Sequence, residues 1–206
     1  FLSIWALSAL MMGCTSPEKD IYIEAESMSN RGGWVIDQPS MMQMGSPYLI
    51  AHGMGVAVED AFTEVNFKQA GDYHVYVRTY NWTSKWSDKR GAGLFRIGVG
   101  EELLDAELGV TGDKWEWQYA GSVDITKSGS HTLRLHDLTG FDGRCDALWF
   151  TTDKDDIPPT EAGALETFRQ RYDKSHIRRV EYDFVVVGGG IAGICASVAA
   201  ARMGIK

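Results

Sequence analysis

The sequence predicts an all-β sandwich or jelly roll, followed by the opening strand, turn and helix of an α/β domain. Three observations carry this. From residue 21 to 152, short β-rich runs alternate with glycine- and aspartate-bearing turns, with no helical pattern between them. A charged run with the double proline Pro158-Pro159 then breaks the pattern. Beyond it, Phe184-Val185-Val186-Val187 runs without a polar residue into the spacing Gly188-x-Gly190-x-x-Gly193 and an alanine-rich stretch.

The chain of 206 residues has room for one full domain and part of another. Its 44% hydrophobic and 23% charged residues are ordinary for a globular protein. A net charge of −8 argues against a nucleic-acid surface. Seven tryptophans, eight tyrosines and eight phenylalanines suit a β-rich domain or a sugar-binding face. Three cysteines make no disulfide framework. Cys145 in a predicted strand and Cys195 in a predicted helix read as buried, unreactive thiols.

Residues 1–20 read as a targeting segment and tether. Phe1 to Gly13 is apolar or small, too short for a spanning helix, and fits the apolar region of a secretory signal. A buried apolar helix is the alternative. Met11-Met12-Gly13-Cys14 resembles the bacterial lipoprotein processing site, with Met11 where that family usually carries leucine. The resemblance implies lipidation at Cys14, attachment to a bacterial membrane through the lipid, and an extracytoplasmic location.

Residues 21–152 form the sandwich. The predicted strands cover 21–26, 55–62, 72–80, 93–99, 115–125, 130–138 and 144–151. Tyr73, Val75 and Val77 alternate with His74, Tyr76 and Arg78, the period of a strand with one buried face. Residues 131–136 alternate in the same way, and turn residues fall at 70–72, 127–130 and 140–143. Ile23-Glu24-Ala25-Glu26, the strand Gly71–Arg78 and Cys145–Phe150 together resemble the carbohydrate-binding-module type of jelly roll, also called galactose-binding-like. Residues 138–147 are similar to the golvesin- or xanthan-lyase-type sandwich that precedes FAD oxidoreductase domains in some bacterial surface proteins. The resemblance covers about two thirds of the chain.

Two candidate sites follow within the sandwich. The connection from Tyr80 to Arg90 carries Tyr80, Trp82 and Trp86 among polar residues, the mixture of apolar platform and hydrogen-bonding groups that a saccharide requires. The same tryptophans serve equally well to pack the sandwich edge. The resemblance further implies a structural calcium held by Glu24, Glu26 and Asp146. Carboxylate oxygens suit that ion, and a strand through 21–26 would put Glu24 and Glu26 on one face; plain surface carboxylates are the alternative. The five histidines show no zinc-ligand spacing. Asp142, Arg144 and Asp146 read as an ion-pair corner.

Residues 153–181 read as a linker containing a short amphipathic helix over 160–172, with Leu165, Phe168 and Tyr172 on one stripe. Residues 182–206 are the first strand, turn and helix of a Rossmann-type unit. Gly188 allows the bend, Gly190 lets a pyrophosphate approach, and Gly193 lets the helix pack on the strand. The helix N-terminus offers free N–H groups and a positive dipole end. A glycine-rich surface loop is the alternative. The stretch resembles the start of FAD-dependent oxidoreductases of the two-dinucleotide-binding-domain type, which implies FAD on Gly188, Gly189, Gly190, Ile191, Ala192 and Gly193. The acidic ribose partner expected about 20 residues further on lies beyond Lys206, so the chain reads as the front of a longer protein. Two functions stay open: an extracytoplasmic FAD-dependent oxidoreductase with an accessory glycan-binding or docking sandwich, inactive as this piece alone, or a non-catalytic lipoprotein that binds carbohydrate.

Overall fold

The computed structural model describes residues 19–87, 89–172 and 181–205. Cys14 and the rest of the expected lipoprotein signal lie outside them. The chain forms two compact units, Phe1–Asp173 and Lys174–Lys206.

The first unit contains eleven strands among its described residues: β1 (Ile21–Glu24), β2 (Val35–Asp37), β3 (Tyr48–His52), β4 (Ala61–Phe67), β5 (Gly71–Thr79), β6 (Phe95–Val99), β7 (Glu102–Leu103), β8 (Glu116–Ile125), β9 (Gly129–Asp137), β10 (Phe141–Cys145) and β11 (Ala147–Thr151). The helices are α1 (Met41–Met44) and α2 (Ala162–Tyr172). The strands pair antiparallel in the orders β1-β11-β5-β8, β4-β9-β6-β7 and β10-β3-β2. Alternate residues of the two four-stranded sheets fill one core: Tyr73, Val75 and Val77 of β5 and Leu148 and Phe150 of β11 meet Val65 and Phe67 of β4, Ile97 of β6 and Leu133 and Leu135 of β9. Phe67 packs edge-on against Tyr73 and Phe150, at 5.0 and 5.5 Å between ring centres. The predicted sandwich is the observed one.

Several expectations change in detail. The first strand stops at Glu24, because the Ala25 N–H bonds the Asp146 carbonyl and residues Ala25–Ser27 turn into a 3-10 helix. Glu24 and Glu26 therefore do not share a strand face. The strand expected at 55–62 runs instead over Ala61–Phe67. Residues 53–56 are a turn held against Gly140, where a Cβ would meet the Val56 carbonyl oxygen at 1.8 Å. The strand expected at 144–151 breaks at Asp146, whose N–H bonds the Arg78 carbonyl, so β10 pairs with β3 while β11 pairs with β5. The short elements β2, α1, β3 and β7 were not expected.

The largest change is at the join. Residues 153–160 are not a free linker. They form a strap over the β1-β11-β5-β8 sheet: Trp149 Nε1 donates to the Asp156 carbonyl at 2.9 Å, Trp117 Nε1 to Pro159 and Arg78 to Thr160, each at 3.3 Å, and the Tyr76 hydroxyl to Lys154. α2 follows, seating Phe168 against Tyr22 and Trp149, and Tyr172 against Trp149. This is why Tyr76 and Arg78, expected on an open face of β5, are buried.

In the second unit the expected helix forms as α3 (Ile191–Arg202). Residues 184–187 have no strand partner among the described residues. Cys145 is buried, and burial raises its thiol pKa; Cys195 is exposed, contrary to expectation, because no residue of α3 is buried.

Candidate functional site

The loop after β5 and the loop before β8 meet at one end of the sandwich and enclose a cleft of about 400 Å³. Tyr80 and Trp115 form its aromatic wall, their ring centres 4.8 Å apart, and Tyr48 packs on the Trp115 ring at 4.9 Å. Trp115 is 5% exposed, and its Nε1 is buried without a hydrogen-bond partner. Lys85, Lys114 and Arg144 face Asp37 and Asp113 around the cleft, an excess of positive charge on a chain of net −8. The Tyr48 hydroxyl donates to Asp37 at 2.8 Å, and burial raises the Tyr48 pKa. Tyr48 and Trp115 are buried in a small apolar cluster on which Tyr80 packs, so Tyr80 is the ring at the cleft, with charged and amide groups at the rim.

The three aromatics singled out in the sequence separate. Tyr80 lies in the cleft. Trp82 is engaged by the protein: it stacks on Phe141 at 6.2 Å and 16°, donates Nε1 to the Phe141 carbonyl at 2.9 Å, and carries the Arg144 guanidinium 4.9 Å from its ring centre. Trp86 meets Trp82 edge-on and is 74% exposed. Arg144 thus joins the tryptophan cluster to the cleft. Sequence reasoning missed Tyr48, Trp115, Asp37, Asp113 and Lys114. The run Gly112-Asp113-Lys114-Trp115 repeats the aromatic-plus-charge character of the Tyr80–Arg90 connection, and that was the available signal.

Asp142, Arg144 and Asp146 do not form one ion-pair corner. Strand alternation would keep them on one face, but the register shifts at Asp142, whose φ is +58°, and β10 ends at Cys145. Asp142 pairs with His52 at 2.7 Å, Arg144 lies over Trp82, and Asp146 enters a buried cluster.

That cluster brings together Glu24 and Asp146, two of the residues expected to hold calcium. Two guanidinium groups already meet them. Arg78 Nη1 lies 2.9 Å from Asp146, Arg169 Nη2 lies 3.0 Å from the same carboxylate, and Arg169 Nε lies 2.8 Å from Glu24. Arg169 also donates to the Tyr22 hydroxyl and the Met44 carbonyl. Burial opposes its charge, but Asp146, Tyr22 and Glu24 outweigh it and hold the Arg169 pKa up. Burial raises Asp146, against Arg169 and Arg78. Glu26 is pushed up to about 8, first by burial and then by Glu24. Among the described residues, no three His, Cys, Asp or Glu side chains are arranged to hold a metal ion. The cluster does not fit calcium, because Arg169 supplies the cation from α2. Arg169 lies one turn beyond Leu165 and beside Phe168, on the apolar stripe, which marked it for burial.

The glycine turn has the local geometry its spacing requires. Gly188 has φ +114°, and a Cβ on Gly193 would meet the Gly188 carbonyl oxygen at 2.1 Å and Val186 at 3.3 Å. A Cβ on Gly190 would meet nothing within 4 Å, which leaves that side open. Gly190 caps α3, and the Ile194 N–H bonds its carbonyl at 3.0 Å.

No family model and no curated protein sequence matches the chain. Solved structures do. A family 35 carbohydrate binding module from Clostridium thermocellum is 20% identical, with 65% of this chain covering 98% of that one at a TM-score of 0.51. A second structure of such a module from the same organism is 18% identical, with 64% covering 98% at 0.50. A Podospora anserina GH26-CBM35 β-(1,4)-mannanase is 17% identical at 0.51, and this chain spans 29% of its length. The likeness is one of fold. The first unit is an all-β sandwich of the kind seen in carbohydrate-binding modules.

Proposed function

We propose that the sandwich binds a glycan, and that it does so for an extracytoplasmic FAD-dependent oxidoreductase anchored through Cys14. The observation that carries the glycan reading is the cleft, where the Tyr80 ring, backed by Trp115, meets a charged rim. The structural neighbours named as carbohydrate binding modules support it through the shared fold. Screening the chain against a saccharide array, followed by calorimetric titration, tests it. Tyr80→Ala is expected to weaken binding about tenfold or more, the effect of removing one well-placed ring. An array with no hit, or hits indifferent to Tyr80, overturns the reading.

The oxidoreductase reading rests on the glycine turn and on family resemblance. Backbone N–H groups from Gly189 to Ala192, at the positive end of α3, would face the pyrophosphate. Bound flavin would supply hydride transfer. The full-length protein is then expected to be yellow and to lose flavin on Gly193→Val, because the added side chain meets the Gly188 carbonyl. Full flavin content in that variant refutes the assignment. A second reading is a non-catalytic lipoprotein that binds carbohydrate through the same cleft. A colourless full-length protein that still binds glycan supports it.

A further inference from the structure

Residues Asn81–Ser87 form a tight helical turn, closed by Ser84 N–H to the Asn81 carbonyl at 3.1 Å and by Trp86 and Ser87 N–H to the Thr83 carbonyl at 3.0 and 3.1 Å. Its side chains fan out on different sides. Tyr80 and Lys85 line the cleft already described, and Trp82, with Trp86 edge-on against it one turn later, stacks on Phe141. Asn81, Ser84 and Ser87 line a second cavity of about 740 Å³, with Lys89 at its edge. The two cavities share Asp113, whose loop supplies a wall to both. The loops are tied together by Asn81 N–H to the Thr111 carbonyl at 2.8 Å and Gly91 N–H to Val110 at 3.0 Å.

One lining residue of each cavity carries a buried polar atom with no hydrogen-bond partner in the protein, Nε1 of Trp115 and Oγ of Ser84. Such groups are uncommon in folded proteins. Lys85, Lys114 and Lys89 make no ion pair among the described residues, whereas Arg90, also on the second cavity, pairs with Glu107. We infer, resting on the glycan reading, that the two cavities form one groove for successive units of a carboxylate-bearing polysaccharide, gripped along the chain rather than at its end. Cavities meeting at a single residue suit neighbouring units of one polymer. Three lysines with no ion pair among the described residues lie beside them and attract a polyanion to a protein that otherwise repels it.

The test titrates the chain with galacturonic acid, its oligomers of two, four and six units, and neutral cellohexaose, at low and high salt. Tetramer affinity is expected to exceed that of the monomer at least tenfold and to fall on adding salt. Ser87→Trp, which fills the second cavity, is expected to bring tetramer affinity down to the wild-type monomer value. Lys89→Glu, an exposed substitution, is expected to lower it severalfold. Equal affinity for monomer and hexamer overturns the groove, and so does a tetramer indifferent to both variants. Cellohexaose binding as tightly as the acidic hexamer overturns the anionic assignment while sparing glycan binding. Failure of every saccharide, here and on the array, overturns the glycan reading itself.

Discussion

Replacing Arg169 by methionine keeps the length and apolar stem of the side chain and removes only its charge and donors. Asp146 has no exposed surface, and Glu24 is largely covered. Without Arg169, Asp146 keeps only Arg78 as its counter-charge, Glu24 loses its ion pair to Arg169, and the Met44 carbonyl and Tyr22 hydroxyl lose their donor. Removing one partner of a buried pair costs about 3–5 kcal/mol, since the other charge stays buried and uncompensated. In a domain of this size that lowers Tm by roughly 6–20 °C. Urea unfolding followed by tryptophan fluorescence measures the loss. Arg171→Met, exposed on the same helix, is the control and is expected to stay within about 0.5 kcal/mol of the parent. Combining Arg169→Met with Glu24→Gln is expected to recover part of the loss, because the carboxylate that lost Arg169 is gone. An Arg169→Met protein within about 1 kcal/mol of wild type refutes the reasoning, as does a double variant whose loss is the plain sum of its parts.

Ending the chain at Thr152 removes Arg169 and the strap together. Residues 19–172 are expected to unfold cooperatively, and 19–152 to be less stable than Arg169→Met; equal melting temperatures refute this. Chelation with EDTA is expected to leave the melting temperature unchanged, because guanidinium groups occupy the carboxylate cluster; a lowered value reinstates a metal. Glu26 has its pKa raised in the folded state, so its contribution to stability is complete below the ordinary glutamate range and is lost as pH rises towards about 8. Glu26→Gln is expected to flatten the stability profile across that window, leaving the slope due to Asp146, and an unchanged profile counts against it. Trp115→Ala is expected to cost about 3–5 kcal/mol as a buried aromatic truncation, against about 0.5 kcal/mol or less for the exposed Trp86→Ala; thermal unfolding of both decides.

The central strands were legible because their chemistry is local. Tyr73, Val75 and Val77 alternate in the sequence and enter the core together, and the turn at Lys127–Ser130 ends one strand and starts the next. The opaque parts depend on partners distant in the chain. Asp146 breaks a strand only because Arg78 and Ala25 claim its backbone, and no window around it carries that information. The Pro158-Pro159 run looked like a boundary because its composition is that of a linker, yet its carbonyls answer donors on Trp149, Trp117 and Arg78. Trp115 reached the candidate site through its contacts with Tyr48 and Tyr80, from strands far apart in sequence. Trp82 and Trp86 share their residue type and loop, but only the fold separates the packed ring from the exposed one.

The strap and α2 bear on how this module can be moved between proteins. A graft cut at the double proline would carry Glu24, Glu26 and Asp146 without Arg169, and no change of host or tether would replace it. A graft cut after Tyr172 would carry its own counter-charge. For anyone building chimaeras, the unit of exchange is therefore the sandwich with its trailing helix, and the natural splice point lies some twenty residues past the place where the composition changes.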